Sequence, residues 1–569
     1  MSSEQRARLA GEDYVLGLDY GSDSARAVLI DALTGETAGV SVRNYPRWAR
    51  GLYCDPAANR FRQHPRDYID VLEETVRELL AGREALAKKV RGIAIDTTGS
   101  TPCAVDGEGT PLALKTEFAE NPAAMCVLWK DHTAVAEAEK ITRTAKTWGG
   151  TDYTCYEGGV YSAEWFWAKI LHIMAEDPAV AAAACSFVEH CDWMTAFLTG
   201  LTDPKHIKRS RCAMGHKAMF HRSFEGGYPS RDFLRLLDPR LTAIRETLGT
   251  ETYTSDTSAG PLTGEWARRL GLPPGIPVAI GAYDAHMGAV GGGVKPGVLV
   301  KVLGTSTCDM IVGPIPEAAE VPVRGICGQV EGSVVPGMIG YEAGQSSFGD
   351  VYAWFKNILM WPLEQVLPVL DLGGDVKERV AGEVSKKLIP ALEDAAEKLD
   401  PRQTGLMALD WLNGRRTPDA NQLLKGAVTG LSLGTNAVRF YRALVEATAF
   451  GARAIVERFR EQGVSIDEIV GIGGVARKSS LVMQTLADVL NMPIKVPAND
   501  QSVALGAAMF AAVVAGLYPD IPAAQAALCP PIEKTYVPRQ EQVLVYDSLY
   551  RLYQNLGAFA ETLVSLSPN

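Results

Sequence analysis

Several things are missing from this 569-residue sequence, and each absence removes a class of function. No Gly-x-x-x-x-Gly-Lys-Ser/Thr segment occurs, so a P-loop nucleotide site is excluded. The ten cysteines are scattered without a Cys-x-x-Cys pair, so neither a zinc site nor a disulfide framework is indicated. Reduced thiols in a cytoplasmic protein are the expectation. There is no basic surplus. With 56 Lys and Arg against 67 Asp and Glu, nothing is left to neutralise a nucleic acid. ATP is still allowed, because a metal, a lysine or a helix N-terminus can make a small site locally positive. No apolar run reaches the length of a membrane span; the richest, Val503 to Gly516, is short and full of alanine. The opening MSSEQRARLAGEDY lacks the apolar core of a secretion signal, and residues 1–12 read as a loose leader. No β-rich domain follows residue 520, so a peptide-binding or polymerising ATPase lacks its second half.

What is present is organised around two similar stretches. Val15 to Leu18 is an apolar run that ends at Asp19; Tyr20 to Ser24 is small and polar; Ala27 to Ile30 is apolar again. This predicts strand, tight turn, strand. A Gly/Ser turn can aim backbone N–H groups into one concavity that suits phosphate oxygens, and Asp19 at its mouth can hold Mg²⁺ through water. The segment Val298 to Val312 repeats the design around Gly304-Thr305-Ser306-Thr307. Two such hairpins, almost half a chain apart, predict two related lobes that close on one nucleotide.

Between and after them the chain alternates strands and helices, as an α/β protein does. A helix is predicted from Pro65, with Tyr68, Ile69, Leu72, Val76 and Leu79 on one face, and a strand over Val90 to Asp96. Arg43 to Gln63 reads as loop. Thr97 to Thr101, directly after a strand, is where such proteins place ligands, so Thr98 and Gly99 are candidates. Trp129, beside Lys130 and Asp131, offers a flat wall for a sugar or is simply a half-buried aromatic. Residues 203–222 are the basic, His-rich stretch, read as a solvated face or a positive loop toward an anion. His206, His216 and His221 have no carboxylate among them, so no metal site is assigned there. Asp284 follows the short strand Val278 to Ile280 among glycines and is the candidate general base, with His286 as its rival. Residues 375–400 read as a solvated helical insertion, and Leu409 to Arg416 as a loop. A long amphipathic helix runs from Arg439 to Glu461, and the tail carries a last helix, Asp547 to Ser565.

Gly471-Ile-Gly473-Gly-Val-Ala476 lies between a strand and a helix and matches Gly-x-Gly-x-x-Ala, with Asp500 where a dinucleotide site has its ribose acid. A Gly473-Gly474 turn that lets backbone pack against an adenine explains the same residues, and two phosphate-type hairpins have no use in a dehydrogenase.

The order of first hairpin, Gly304–Thr307 hairpin and Gly473-Gly474 turn resembles the actin/hexokinase/heat-shock ATPase superfamily. Gly430-Leu431 followed by Arg439 to Glu446 is similar to the C-terminal signature of the FGGY carbohydrate kinases. Trp129-Lys-Asp-His132, Glu189-His-Cys-Asp-Trp193, Cys212 to Ala218, Gly281 to Val290, Tyr341 to Gln345 and Asp410-Trp411 resemble that family's ketopentose kinases. Two positions depart from the family pattern: Glu164 stands where a lysine is usual, and Arg439 where an amide or acid is usual. The resemblance implies an α/β fold of two ribonuclease-H-like lobes with a cleft between them, divided at 12–283 and 284–569. It implies ATP-dependent phosphorylation of an open-chain ketopentose at its 5-hydroxyl, with ATP and Mg²⁺ as cofactors. Another pentulose or a polyol is the alternative substrate, and an actin-like partner-coupled ATPase the alternative function. Asp284 would be the base and Asp19 would organise Mg²⁺. Gly21, Ser22, Gly304 and Thr305 would cradle phosphates, and Gly473, Gly474 and Asn499 would lie near adenosine. Thr98, Gly99, Trp129, Lys217 and Glu342 would hold the sugar, with Lys208 the rival of Lys217. The expected partners are the sugar and ATP, with a homodimer as the candidate assembly and neither nucleic acid nor membrane.

Overall fold

A computed structural model describes residues 12–317 and 320–566, so the expected leader lies outside it but for Glu12. The described chain forms two compact units that interleave along the sequence. The first holds the residues up to Gly297, Met310–Glu342 and Gln501–Pro531. The second holds Val298–Asp309, Ala343–Asp500 and the residues from Ile532. No helix among the described residues is long and apolar enough to cross a membrane.

The first unit is built on a twisted mixed sheet. Its strands are β1 (Tyr14–Tyr20), β2 (Ser24–Asp31), β3 (Thr37–Asn44), β4 (Val90–Thr97), β5 (Ser258–Pro261), β6 (Pro277–Ala279) and β7 (Ala282–Tyr283). The order is β5-β6-β4-β1-β2-β3, with β7 also on β4. β1 and β2 pair antiparallel from Tyr14↔Asp31 to Tyr20↔Ala25, so only Gly21 to Asp23 remain for the turn. Helix α1 (Pro65–Leu80) starts where Pro65 predicts: His64 caps it by accepting from Arg66 N–H, and Tyr68, Ile69, Leu72, Val76 and Leu79 are buried. Arg43 to Gln63 is not all loop. Arg60–Gln63 is a strand paired with Cys126–Val127, and Arg62 is buried against Asp131 at 2.8 Å. A charged strand whose partner lies some 65 positions on leaves no local pattern to read.

Helix α2 (Phe166–Glu176) buries Phe166 and Trp167, and α3 (Arg211–Lys217) is entirely buried. Helix α4 (Asp284–Gly291) begins at the candidate base, so Asp284 is a first-turn residue rather than a loop residue. The hairpin of β8 (Gly328–Glu331) and β9 (Met338–Ala343) follows. Helix α5 (Ser502–Val514) returns to this unit and packs backbone to backbone. A methyl built on Gly506 would stand 1.8 Å from Met287 O of α4, and one on Gly291 would stand 1.9 Å from Ser502 O. On the sheet side, Gly17 of β1 and Gly92 of β4 meet Ala504 O and Ala511 O at 2.1 and 2.6 Å by the same measure. This packing is why α4 belongs with the first unit, and why the unit does not end at the expected 283/284 boundary.

The second unit has strands Gly297–Leu303, Ile466–Ile472, Ile494–Pro497 and Ile532–Tyr536 in that sheet order. Helices Ala437–Glu461, Ser480–Leu490 and Gln540–Leu566 accompany them. The predicted insertion is the helix Gly374–Ala396, solvated except at Leu392 and Ala396. Helix Ile521–Leu528 and strand Ile532–Tyr536 carry no pattern that announces them in the sequence. We expect Gly506→Val to cost on the order of 1–3 kcal/mol of stability, because the clash is with backbone that cannot turn aside. A lowered urea midpoint at unchanged slope is the reading that checks it.

Candidate active site

Parallel strands bring acids together at their carboxyl ends. β1 and β4 pair in register with Asp19 opposite Asp96, and β7 pairs with β4 through Ala282↔Asp96, which sets Asp284 just beyond. Since side chains alternate along a strand, Asp19 shares a face with Gly17 and Asp96 with Gly92, the face α5 covers. The two acids emerge where that cover ends. Asp19 is buried and its Oδ2 lies 3.2 Å from the Arg26 guanidinium. Asp96 is fully buried, and neither of its oxygens meets a hydrogen-bond donor among the described residues. Burial pushes Asp96 well above the usual carboxylate range, and Asp19 and Asp284 push it the same way. Asp19 is raised by burial and held back by Arg26. Asp284 is pushed up to about 7, by burial first and then by Asp19, although its Oδ1 accepts from Ala285 N–H at 2.6 Å. Three carboxylates share one guanidinium, and oxygen donors short of positive charge fit a hard divalent cation. Asp96 has no role in the sequence reading. It closes a predicted strand as Asp19 does, and only the register shows that the two are neighbours.

The first turn is held in place from outside. Gly21 N–H donates to Ser24 O, Tyr45 Oη donates to Gly21 O, and Gln63 donates to Ser22 O at 2.6 Å. Trp129 donates its indole N–H to Ser22 Oγ at 2.8 Å, so it stands against this turn. The loop after β4 is clamped as well. Thr98 N–H donates to Tyr20 O and its hydroxyl bonds Thr101, while a side chain on Gly99 would run into the Tyr283 ring at 1.9 Å. Glu189 accepts from the Ser100 hydroxyl and from Thr101 N–H. Lys169, on α2, donates to Ser100 O, Leu128 O and Val127 O at 2.6, 2.9 and 3.3 Å. Burial lowers its pKa to about 8. Glu189 and Lys169 position two candidate loops, a role that no local pattern signals.

Most of the basic stretch is buried rather than solvated, with Lys205, His206 and Arg222 its exposed charges. Arg209 is fully buried, donating to Phe187 O and Pro204 O, and Arg211 donates to Thr252 O at 2.7 Å. These guanidinium groups satisfy backbone carbonyls, so their charge is spent inside the fold. Lys208 donates to Ser258 O at 2.7 Å. Lys217 instead donates to Glu342 Oε1 at 2.6 Å, with its ammonium 5.1 Å from the centre of the Trp165 ring. His216 and His286 lie against the same Glu342, at 3.4 and 3.6 Å. The Glu164 that departs from the family pattern pairs with His132 at 3.0 Å.

In the second unit Gly304 and Thr305 are exposed. Their carbonyls accept from the first N–H groups of the helix Gly349–Gln365: Gly349 N–H reaches Gly304 O at 3.1 Å and Asp350 N–H reaches Thr305 O at 3.1 Å. Gly473 adopts φ +95° and lies so close to Leu303 that a Cβ would be 2.7 Å from its carbonyl, so this turn sits beside the hairpin base. Gly473 and Gly474 are exposed and Asn499 is half-buried. Asp500, the acid of the rival dinucleotide reading, is ion-paired to Arg477, which also donates to Pro497 O.

This is the actin-like ATPase fold. A solved xylulose kinase from Rhodospirillum rubrum matches with a TM-score of 0.74 at 22% identity, over 97% of this chain and 100% of its own. Models of the N-terminal and C-terminal domains of the FGGY family of carbohydrate kinases match residues 14–291 and 299–515. A ribulokinase from Vibrio parahaemolyticus is 49% identical over 97% of either chain. One from Anoxybacillus flavithermus is 39% identical over 96% of this chain and 94% of its own. The chain belongs to the FGGY family of carbohydrate kinases.

A general base must be ionised to take a proton; with Asp284 as the candidate, we expect kcat/KM to fall tenfold per pH unit below about 7. Stability runs the other way. A carboxyl raised from 3.8 to about 7 binds its proton more tightly when folded, so its contribution is full below 3.8 and is lost as pH rises toward 7. Asp284→Asn should therefore raise the thermal midpoint at pH 8 by about 2 °C or more while removing activity. Calorimetry and a pH–rate profile check the two halves.

Proposed function

We propose that the chain phosphorylates L-ribulose at its 5-hydroxyl with Mg²⁺-ATP. The observation that carries this reading is the Asp284 carboxylate, poised near neutrality on the first turn of α4, in one compact unit with the Lys217–Glu342 pair. The two ribulokinases, similar over nearly their whole lengths, supply the choice of sugar.

Asp284 accepts the proton of the 5-hydroxyl as that oxygen bonds to the γ-phosphorus. The bond from the γ-phosphorus to the bridging oxygen breaks, and ADP leaves with the electron pair. Lys217 and Glu342 hold the open chain of the sugar, and Thr98, Gly99 and Trp129 contribute from the loops that Lys169 fixes. Backbone N–H groups and hydroxyls at Gly21, Ser22, Gly304 and Thr305 bind phosphate oxygens, and Gly473, Gly474 and Asn499 take the adenosine. Asp19 would hold Mg²⁺, which when bound would neutralise charge on the phosphates. Little covalent work is left to the protein, because phosphoryl transfer depends mainly on alignment and charge. All ten cysteines are unbridged, which supports a place in the reducing cytoplasm.

The test is ADP release with Mg²⁺-ATP across L-ribulose, D-ribulose, L- and D-xylulose and glycerol, with Asp284→Asn alongside. L-ribulose should give the highest kcat/KM, and the variant should lose about 10³-fold or more of it. A different preferred sugar with a dead variant would overturn the substrate and keep the base. No sugar-stimulated ADP release would overturn the kinase reading.

A further inference from the structure

Lys217 satisfies one oxygen of Glu342. The other oxygen, Oε2, is buried and makes no hydrogen bond, and it is flanked by two imidazoles. His216 Nδ1 lies 3.4 Å away and His286 Nε2 3.6 Å away, with the two rings 4.6 Å apart at 63°. His216 Nδ1 and both nitrogens of His286 make no hydrogen bond either. An unpaired buried polar atom costs about 1–3 kcal/mol, and four of them in one place call for an explanation.

The proton positions follow from the neighbours. Ser333 donates its single hydroxyl hydrogen to Val330 O at 3.0 Å. Its oxygen must then accept from His216 Nε2, 2.9 Å away. His216 thus carries its hydrogen on Nε2, and its Nδ1 is a bare acceptor facing another acceptor. Gly328 closes over that Nδ1, since a Cβ there would come within 2.2 Å of it. Burial lowers His216 well below the usual range and His286 to about 4, so both rings are neutral. That leaves His286, its Nε2 3.6 Å away, as the flanking residue with an N–H to give to Oε2.

The same three residues have the spacing of a cation site, with ligand atoms within 4.8 Å of one another. The Lys217 ammonium, 2.6 Å from the other oxygen of the same carboxylate, argues against it. It already cancels the one negative charge a divalent ion would need.

We propose that His286 is a positioning residue: it donates from Nε2 to Glu342 Oε2 and fixes the carboxylate in the orientation that receives the sugar. This rests on the reading of Glu342 as a sugar-holding group. A residue that acts through Glu342 should show its removal in sugar affinity rather than in the chemical step.

The experiment measures kcat and KM for L-ribulose and KM for ATP in full-length His286→Leu, His286→Gln and Glu342→Gln, and in Glu342→Gln combined with His286→Leu. His286→Leu should raise the KM for sugar about tenfold, with kcat within about twofold and KM for ATP unchanged. His286→Gln, whose amide N–H reaches the place of Nε2, should restore most of it. His286→Leu should add nothing further once Glu342 is glutamine, because the residue acts through that carboxylate. Equal losses in His286→Leu and His286→Gln, or additive losses with Glu342→Gln, would overturn the proposal. An unchanged sugar KM in Glu342→Gln would instead overturn the reading of Glu342. Tight stoichiometric Zn²⁺ binding by calorimetry, abolished in His286→Leu, would overturn the proposal in favour of a cation site.

Discussion

The approach of α5 to its neighbours without side chains in between is the constraint on which the first unit depends. Gly506 and Gly291 let α5 and α4 touch through their backbones, and Gly17 and Gly92 let α5 lie directly on β1 and β4. Asp19 and Asp96 stand on that same face at the carboxyl ends of the strands, and both are buried. The helix that carries Asp284 is fixed by the other side of the same α5. A residue from beyond position 500 thus sets the spacing of groups near positions 19, 96 and 284.

Charge is the second theme. The unit buries anions with too few cations at the strand ends, while it buries the guanidinium groups of Arg209 and Arg211 against carbonyls elsewhere. Compensating the acids locally with those arginines would have removed the imbalance, and with it the raised base and the cation-binding potential. Stability is given up at Asp96 and Asp284, whose carboxyls burial and neighbouring acids raise, a pattern common where a protein keeps acids for function.

How much of this can be read from the sequence depends on how local each signal is. Both hairpins, the helix from Pro65 and the acids Asp19 and Asp284 are visible because strand, turn and capping patterns span a few residues. Asp96 sits in plain view at the end of a strand, but its meaning lies in register with β1, which no single stretch encodes. The basic segment misleads for the same reason: Arg209 and Arg211 look solvated until their carbonyl partners near 187 and 252 are known. His216 and His286 are separated by 70 positions, and nothing local shows that their rings lie 4.6 Å apart beside Glu342. The Gly471 to Ala476 match is a real strand–turn–helix, and it is the FGGY domain over residues 299–515, not the residues themselves, that rules out the dinucleotide reading.

Lys169 has a consequence for how this protein can change over time. One ammonium ties Ser100 to Val127 and Leu128, so the loop bearing Thr98 and Gly99 and the loop bearing Trp129 share a single anchor. A drift in either loop is transmitted to the other through that nitrogen. These two loops therefore cannot be altered independently of each other. Descendants of this chain would have to revise both at once, or replace the anchor first.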